Sequence, residues 1–237
     1  MRVFDTYDVI VEETIDLTPR VKGIKFKIPA GKTLHFKAGQ FVQIHIPQPE
    51  KPRRTSYSIA SSSQYENFFE LCVTLVQGGI SSPFLHGLKV GQTIPMTGPL
   101  GKFILPDPIL RDAVFIATGS GIAPFRSMIQ EMIFKKLPQQ IYLIYGNRFT
   151  DDIIYKNEWD QLQLSNPKFH VEYTLSKPDS TWKGEQGYVQ DKIQNFIPQP
   201  AAKDYYICGL VKMIDAVVEK LTSLGVPKEQ IHFERFD

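Results

Sequence analysis

The rhythm of apolar and polar positions changes about halfway along the chain. Up to about residue 105, short runs of β-branched and aromatic residues cover 7–12, 21–28, 41–46, 68–76 and 92–97, with Gly31, Gly39, Pro47, Gly78, Gly79, Gly98 and Pro99 between them. Runs that often alternate apolar with polar, cut by turn residues at such intervals, predict the strands of an antiparallel β-barrel or sandwich. Residues 105–110, LPDPIL, carry two prolines and keep neither period. The boundary between two domains, 1–105 and 106–237, is placed there.

Beyond it the pattern becomes strand, loop, helix. Continuous apolar runs at 113–117 and 141–145, with further runs at 170–175 and 205–208, predict buried strands. Phe125, Met128, Ile129, Met132 and Ile133 recur at helical spacing within 123–136, and further helices are predicted at 157–164, 189–196 and 212–224. Buried strands alternating with helices imply a parallel sheet in an α/β domain, with ligands at the carboxyl ends of its strands.

Charge and cysteine content then remove whole classes of function. The 237 residues hold 27 basic and 25 acidic side chains, a net charge of +2. Both signs are mixed along the chain, so no nucleic-acid partner is expected. The first domain is the more basic, with 12 basic and 8 acidic residues against 15 and 17 in the second. No run approaches 18 consecutive apolar residues, and the N-terminal stretch MRVFDTYDVIVEETID is acidic where a signal peptide is basic, so a soluble cytoplasmic protein with no membrane span is expected. Cys72 and Cys208 are too few and too far apart for a disulfide framework, a metal site or an iron–sulfur cluster. His35, His45, His86, His170 and His232 are scattered, with no paired carboxylates or His–Asp constellation beside them, and are read as structural.

One loop carries chemistry. The apolar run ending at Ala117 enters Thr118-Gly119-Ser120-Gly121-Ile122-Ala123-Pro124 and then a predicted helix. Glycines at a strand-to-helix turn let backbone N–H groups approach a pyrophosphate, and Pro124 suits a first helical turn. The same glycines also suit a tight turn needed for steric reasons alone.

Four segments in order, Arg54-Thr55-Ser56-Tyr57-Ser58-Ile59-Ala60-Ser61, Gly98-Pro99-Leu100-Gly101-Lys102-Phe103, residues 119–127, and Cys208-Gly209 with a terminal Glu234-Arg235-Phe236, resemble the ferredoxin–NADP reductase superfamily of flavoenzymes over nearly the whole chain. The resemblance implies an FAD-binding barrel followed by a nicotinamide-dinucleotide domain. In the family's Arg-x-Tyr-Ser motif the tyrosine packs on the flavin, the serine reaches flavin N5 and the arginine meets the pyrophosphate; carried over, these are Tyr57, Ser58 and Arg54. The arginine is displaced, standing three residues before Tyr57 instead of two. Either the loop holds one extra residue, or Thr55 stands in the arginine's place and Arg53 or Arg54 supplies the charge. The resemblance also sets Gly79 with Ser81 or Ser82, at the start of a short helix expected over 82–88, against the flavin pyrophosphate.

For the dinucleotide, the resemblance implies Gly119, Ser120, Gly121 and Pro124 as the nicotinamide loop and Cys208-Gly209 as the loop beside the nicotinamide, with Leu210 where the family has proline. Ser58, Cys208 and Glu234 would line the contact where hydride passes, and Phe236 would cover the flavin face. Asp237 is one residue more than the family's ending. Arg148, Ser176 and Lys177 are candidates for a 2′-phosphate, and Tyr188 for stacking on adenine. Lysine binds phosphate without arginine's fork, so FAD with NADPH or NADH is expected, the balance leaning slightly to NADPH. The implied function is transfer of hydride from NAD(P)H to FAD and of electrons to a separate acceptor such as ferredoxin, flavodoxin or an oxygenase component. An NAD(P)H:flavin reductase using free flavin, and a non-catalytic nucleotide-binding subunit, are the alternatives.

Overall fold

The computed structural model describes residues 6–236. Contacts divide the chain into two units, one of residues 1–105 and 123–135, the other of residues 106–122 and 136–237.

The first unit holds β1 (Thr6–Thr18), β2 (Val21–Lys27), β3 (Phe41–Ile46), β4 (Arg53–Ser58), β5 (Phe68–Thr74), the short helix α1 (Ser81–His86) and β6 (Thr93–Leu100). The strands form one sheet in the order β4-β3-β6-β1-β2-β5, every neighbour antiparallel. An isolated bridge between Ile59 and Leu71 joins the β4 end of the sheet to the β5 end, which curls it into a barrel. The inward alternation anticipated from sequence is present in β1, where Tyr7, Val9 and Val11 are buried between exposed neighbours. β1 runs six residues past its expected end at 12. Beyond a register shift between Val11 and Glu13 it pairs with β2 as a hairpin whose polar residues hide the strand from a hydrophobicity pattern. Phe26 and Phe69, stacked with ring centroids 5.2 Å apart, anchor a core that includes Leu34, Ile44, Leu71 and Met96.

The second unit contains β7 (Ala113–Thr118), β8 (Ile141–Asn147), α3 (Lys156–Ser165), β9 (Phe169–Leu175), β10 (Glu185–Gln186), α4 (Val189–Phe196), β11 (Asp204–Gly209), α5 (Val211–Ser223) and β12 (Ile231–Arg235). Its sheet is parallel throughout, in the order β10-β9-β8-β7-β11-β12. The continuous apolar runs are the central strands, buried on both faces. β12 was not foreseen, because an edge strand paired on one side needs no continuous apolar run and IHFER alternates with charge.

The helix expected at 123–136 is α2 (Ile122–Phe134). From Ala123 onward it groups with the barrel, where the sequence boundary had set it in the 106–237 segment. Its contacts with the barrel residues, one apolar and one polar, explain the difference. The Phe125 ring lies 6.0 Å from that of Phe103, and Glu131 accepts a hydrogen bond from the Ser63 hydroxyl at 2.6 Å. Among the described residues no helix is long and apolar enough to cross a membrane.

Candidate functional site

In the parallel sheet the order reverses between β7 and β11, and in open α/β sheets ligands bind at the carboxyl ends of the strands at such a switch point. β7 leads into Gly119–Gly121, a single 3-10 turn, and then into α2 with Pro124 in its first turn. Gly119 has φ of 53°, and its carbonyl accepts a hydrogen bond from the Tyr145 hydroxyl at 2.8 Å. A Cβ on Gly121 would stand 2.3 Å from the carbonyl oxygen of Cys208. Gly209 has φ of 150°, and a Cβ there would lie 2.5 Å from Thr118 Oγ1. The two glycine loops therefore interlock, Gly121 against the Cys208–Gly209 backbone and Gly209 against the Thr118 and Met213 side chains, at separations a Cβ does not permit, with half-buried Ser120 between the two glycines of the first. Leu210, in the place of the family's proline, keeps the φ of −67° that a proline ring would impose.

The second loop is tied to the end of the chain. Cys208 is paired in register with Ala117 on one side and Glu234 on the other, and the Phe236 N–H donates to the Gly209 carbonyl at 3.0 Å. Asp237 lies outside the described residues. Cys208 is fully buried, and burial, reinforced by the Glu234 carboxylate, pushes its thiol well above the usual cysteine value. The group is thus a neutral thiol, not a thiolate nucleophile.

Farther along the same edge, the loops after β8 and β9 are joined by two backbone hydrogen bonds, Ser176 N–H to Asn147 O and Lys177 N–H to Arg148 O, each 3.0 Å. This brings Arg148, Ser176 and Lys177 together as exposed side chains. Tyr188 joins them: the Gly187 N–H bonds to Leu175 O at 2.9 Å, and the ring of Tyr188 is 63% exposed. The intervening loop is held by the Trp182 indole N–H on Glu185 O at 2.9 Å, with Gly184 directly beneath the ring. Among the described residues, buried polar side-chain atoms without a hydrogen-bond partner include Thr118 Oγ1, both amide atoms of Asn147 and Thr150 Oγ1. Such atoms are rare in folded proteins, and these belong to the ends of β7 and β8 and the turn just beyond. Sequence inspection missed Thr118, which a hydroxyl directly before the glycine loop signals.

In the barrel unit, β4 carries the other set. Partners directly opposite in an antiparallel pair share a face, so Arg53, Thr55 and Tyr57 lie on the face of Ile46, Ile44 and Val42, while Arg54, Ser56 and Ser58 lie on that of His45, Gln43 and Phe41. Tyr57 packs, partly buried, against the barrel core, and burial pushes its hydroxyl up to about 12. Ser58 is buried at the strand end. Thr55 Oγ1 is 2.6 Å from Ser81 Oγ, whereas Ser82 Oγ accepts the Val76 N–H at 2.9 Å. The two serines are thereby distinguished: Ser81 faces the motif strand and Ser82 closes the loop at the end of β5. Gly79 completes that loop, its N–H donating to Val76 O at 3.1 Å. Arg53 and Arg54 line a hollow of about 450 Å³ with His45, Lys51 and Pro52. Burial and the Arg54 charge lower the His45 pKa.

Residues 8–104 match the model of the oxidoreductase FAD-binding domain and residues 115–219 that of the oxidoreductase NAD-binding domain. A ferredoxin–NADP reductase of Sorangium cellulosum is 35% identical over 228 residues, covering 93% of each chain. The reductase component of phenol 2-monooxygenase from Pseudomonas sp. (strain CF600) is 30% identical over 236 residues, covering 98% of this chain and 66% of its own. The Amycolatopsis cytochrome P450 reductase superposes with a TM-score of 0.90 at 24% identity, covering 100% of this chain and 71% of that one, and shows the fold alone. The chain thus spans about two thirds of the length of the last two proteins. With both domain models matched in order and a full-length relative at this identity, the chain belongs to the ferredoxin–NADP reductase superfamily.

Proposed function

We propose that this FAD-containing NAD(P)H oxidoreductase takes hydride from NADPH and delivers electrons to a separate acceptor protein, a ferredoxin, flavodoxin or oxygenase component. The observation that carries the reading is the interlock of Gly121 with the Cys208–Gly209 backbone, which leaves main-chain groups and the unpartnered Thr118 hydroxyl at the sheet's switch point. These features fit a nicotinamide dinucleotide, whose phosphates and amide take backbone N–H and hydroxyl partners. Gly119, Ser120, Gly121, Pro124, Cys208 and Gly209 would hold its nicotinamide half. Arg148, Ser176 and Lys177 would take a 2′-phosphate, and Tyr188 the adenine, which supports NADPH over NADH. Residues 1–105 form the flavin domain and 106–237 the dinucleotide domain in this reading.

Tyr57, Ser58, Gly79, Ser81 and Phe236 would hold the flavin, Tyr57 by its apolar face and Ser58 through a hydroxyl donated to the reacting ring. When bound, the nicotinamide supplies the hydride and the flavin releases it as electrons. Cys208, as a buried neutral thiol, and Glu234 would line the nicotinamide's side of that exchange. The more basic first domain suits an acidic acceptor. A cytoplasmic location belongs to the same reading.

An anaerobic absorbance spectrum of the purified protein before and after NADPH or NADH tests it. A yellow protein that bleaches faster with NADPH is the expected result. One observation favours a second reading, an NAD(P)H:flavin reductase: Arg54 is displaced from the motif spacing, and Thr55, two residues before Tyr57, is occupied with Ser81. A colourless protein that reduces added riboflavin supports that alternative, and failure to oxidise NAD(P)H with ferricyanide overturns both.

A further inference from the structure

Arg126 lies on α2 within the barrel unit, and only 14% of its side chain is exposed. Its Nη1 donates to the Ala60 carbonyl at 3.1 Å and to Glu70 Oε2 at 2.6 Å. Ala60 is two residues beyond Ser58. The chain between is held as well: the Ile59 N–H bonds to Gln40 O at 3.0 Å, and the Ala60 N–H to Glu70 O at 2.8 Å. Glu70 thus serves the Ala60 peptide twice, through its own carbonyl on the N–H and through its carboxylate on the guanidinium that holds the C=O. Packing the apolar face of α2 does not require a cation at this position. A guanidinium withdrawn from water is stable there because both of these acceptors await it.

We propose that Arg126 is a positioning residue: by locking the Ala60 peptide to Glu70 it sets the segment that presents the Ser58 hydroxyl. The inference rests on the assignment of Ser58 to the flavin. Ser58 is buried at the end of β4 with Phe41 opposite, so its hydroxyl follows its backbone. Freed from Arg126, the 59–60 segment loses the bond on its C=O side while β4 and its ladder remain.

Stopped-flow reduction of the flavin by saturating NADPH, measured in the parent, Ser58→Ala, Arg126→Gln and the double variant, tests this. Misplacing a reacting contact by a fraction of an ångström costs about 10-fold in rate, so Arg126→Gln is expected to slow reduction about 10-fold with the KM for NADPH unchanged. Because both changes act on one hydroxyl, the double variant is expected to be no slower than the slower single. Arg126→Lys, whose ammonium can keep one of the two acceptors, is expected to restore part of the rate, and it carries the test if Arg126→Gln does not fold. Unchanged reduction in the Arg126 variants, or slowing that multiplies in the double variant, overturns the proposal while leaving the Ser58 assignment intact. Unchanged reduction in Ser58→Ala overturns that assignment, and the proposal with it.

Discussion

Gly121→Ala isolates the contact on which the dinucleotide site depends. The new Cβ would stand 2.3 Å from the Cys208 carbonyl oxygen and 2.7 Å from its carbon, where ordinary contact begins at 3.4 Å. The two loops must therefore part by about 1 Å, and the obstructing atoms are backbone of β11, which no rotamer change can move. Overpacking of this kind costs about 1–3 kcal/mol, and the upper end applies because both neighbours of β11 in the sheet resist the shift. At about 2–4 °C per kcal/mol for a chain of this size, the melting temperature should fall by roughly 5–10 °C. A 1 Å misplacement of a positioning loop costs about 100-fold in kcat/KM. Gly119→Ala is the matched control. Its Cβ meets nothing within 4 Å, but φ of 53° is left-handed, a strain of about 1–2 kcal/mol for a residue with a side chain. The assay is thermal unfolding together with NADPH–ferricyanide kinetics on flavin-loaded protein. Gly121→Ala should lose catalytic efficiency well beyond Gly119→Ala while retaining its flavin. Equal losses in the two variants would refute the interlock as the basis of the site.

Other consequences concern charge and the flavin loop. Asp112, before β7, is worked on by burial, which disfavours its charge, but the Lys203 ammonium at 2.8 Å and the Gln140 N–H outweigh this and hold its pKa below the usual value. A carboxylate with a depressed folded pKa contributes stability that is complete above the unfolded value of about 3.9 and is lost as pH falls through the folded one. Because the Lys203 side chain is only 7% exposed, Asp112→Asn should destabilise by about 2–3 kcal/mol at pH 7, with the gap from the parent closing in unfolding curves taken below pH 4; a gap constant across that range contradicts the pairing. Replacing Arg148 or Lys177 by alanine should raise the KM for NADPH about 10-fold and leave that for NADH nearly unchanged, with a smaller contrast in high salt because both side chains are exposed; equal changes for the two dinucleotides would remove them from phosphate recognition. Ser82→Ala should cost about 1 kcal/mol of stability by orphaning the Val76 N–H without weakening flavin binding. Ser81→Ala should weaken flavin binding, as titration of apoprotein with FAD will show, and the reverse pattern would exchange the two roles.

The two-part organisation is legible in the sequence because the buried faces differ in period. β3, Phe41–Ile46, alternates as the wall of a barrel must, whereas β7 and β8 run apolar and buried through 113–117 and 141–145, as strands inside a parallel sheet do, and turn polar only at their ends. The glycine loop and the Tyr57-Ser58 pair are equally local, since the chemistry of a turn or a strand end is written in adjacent residues. Tertiary structure decided what adjacency cannot express. Whether Ser81 or Ser82 meets β4 depended on which hydroxyl lies across from Thr55, 26 residues away. Arg148 and Lys177 became one cationic pair through backbone bonds between two strand ends. The steric demand on Gly121 comes from Cys208, and the partners of Arg126 from Ala60 and Glu70. Periodicity reports how a segment is buried, but a site is made of which segments meet, and long-range packing determines that.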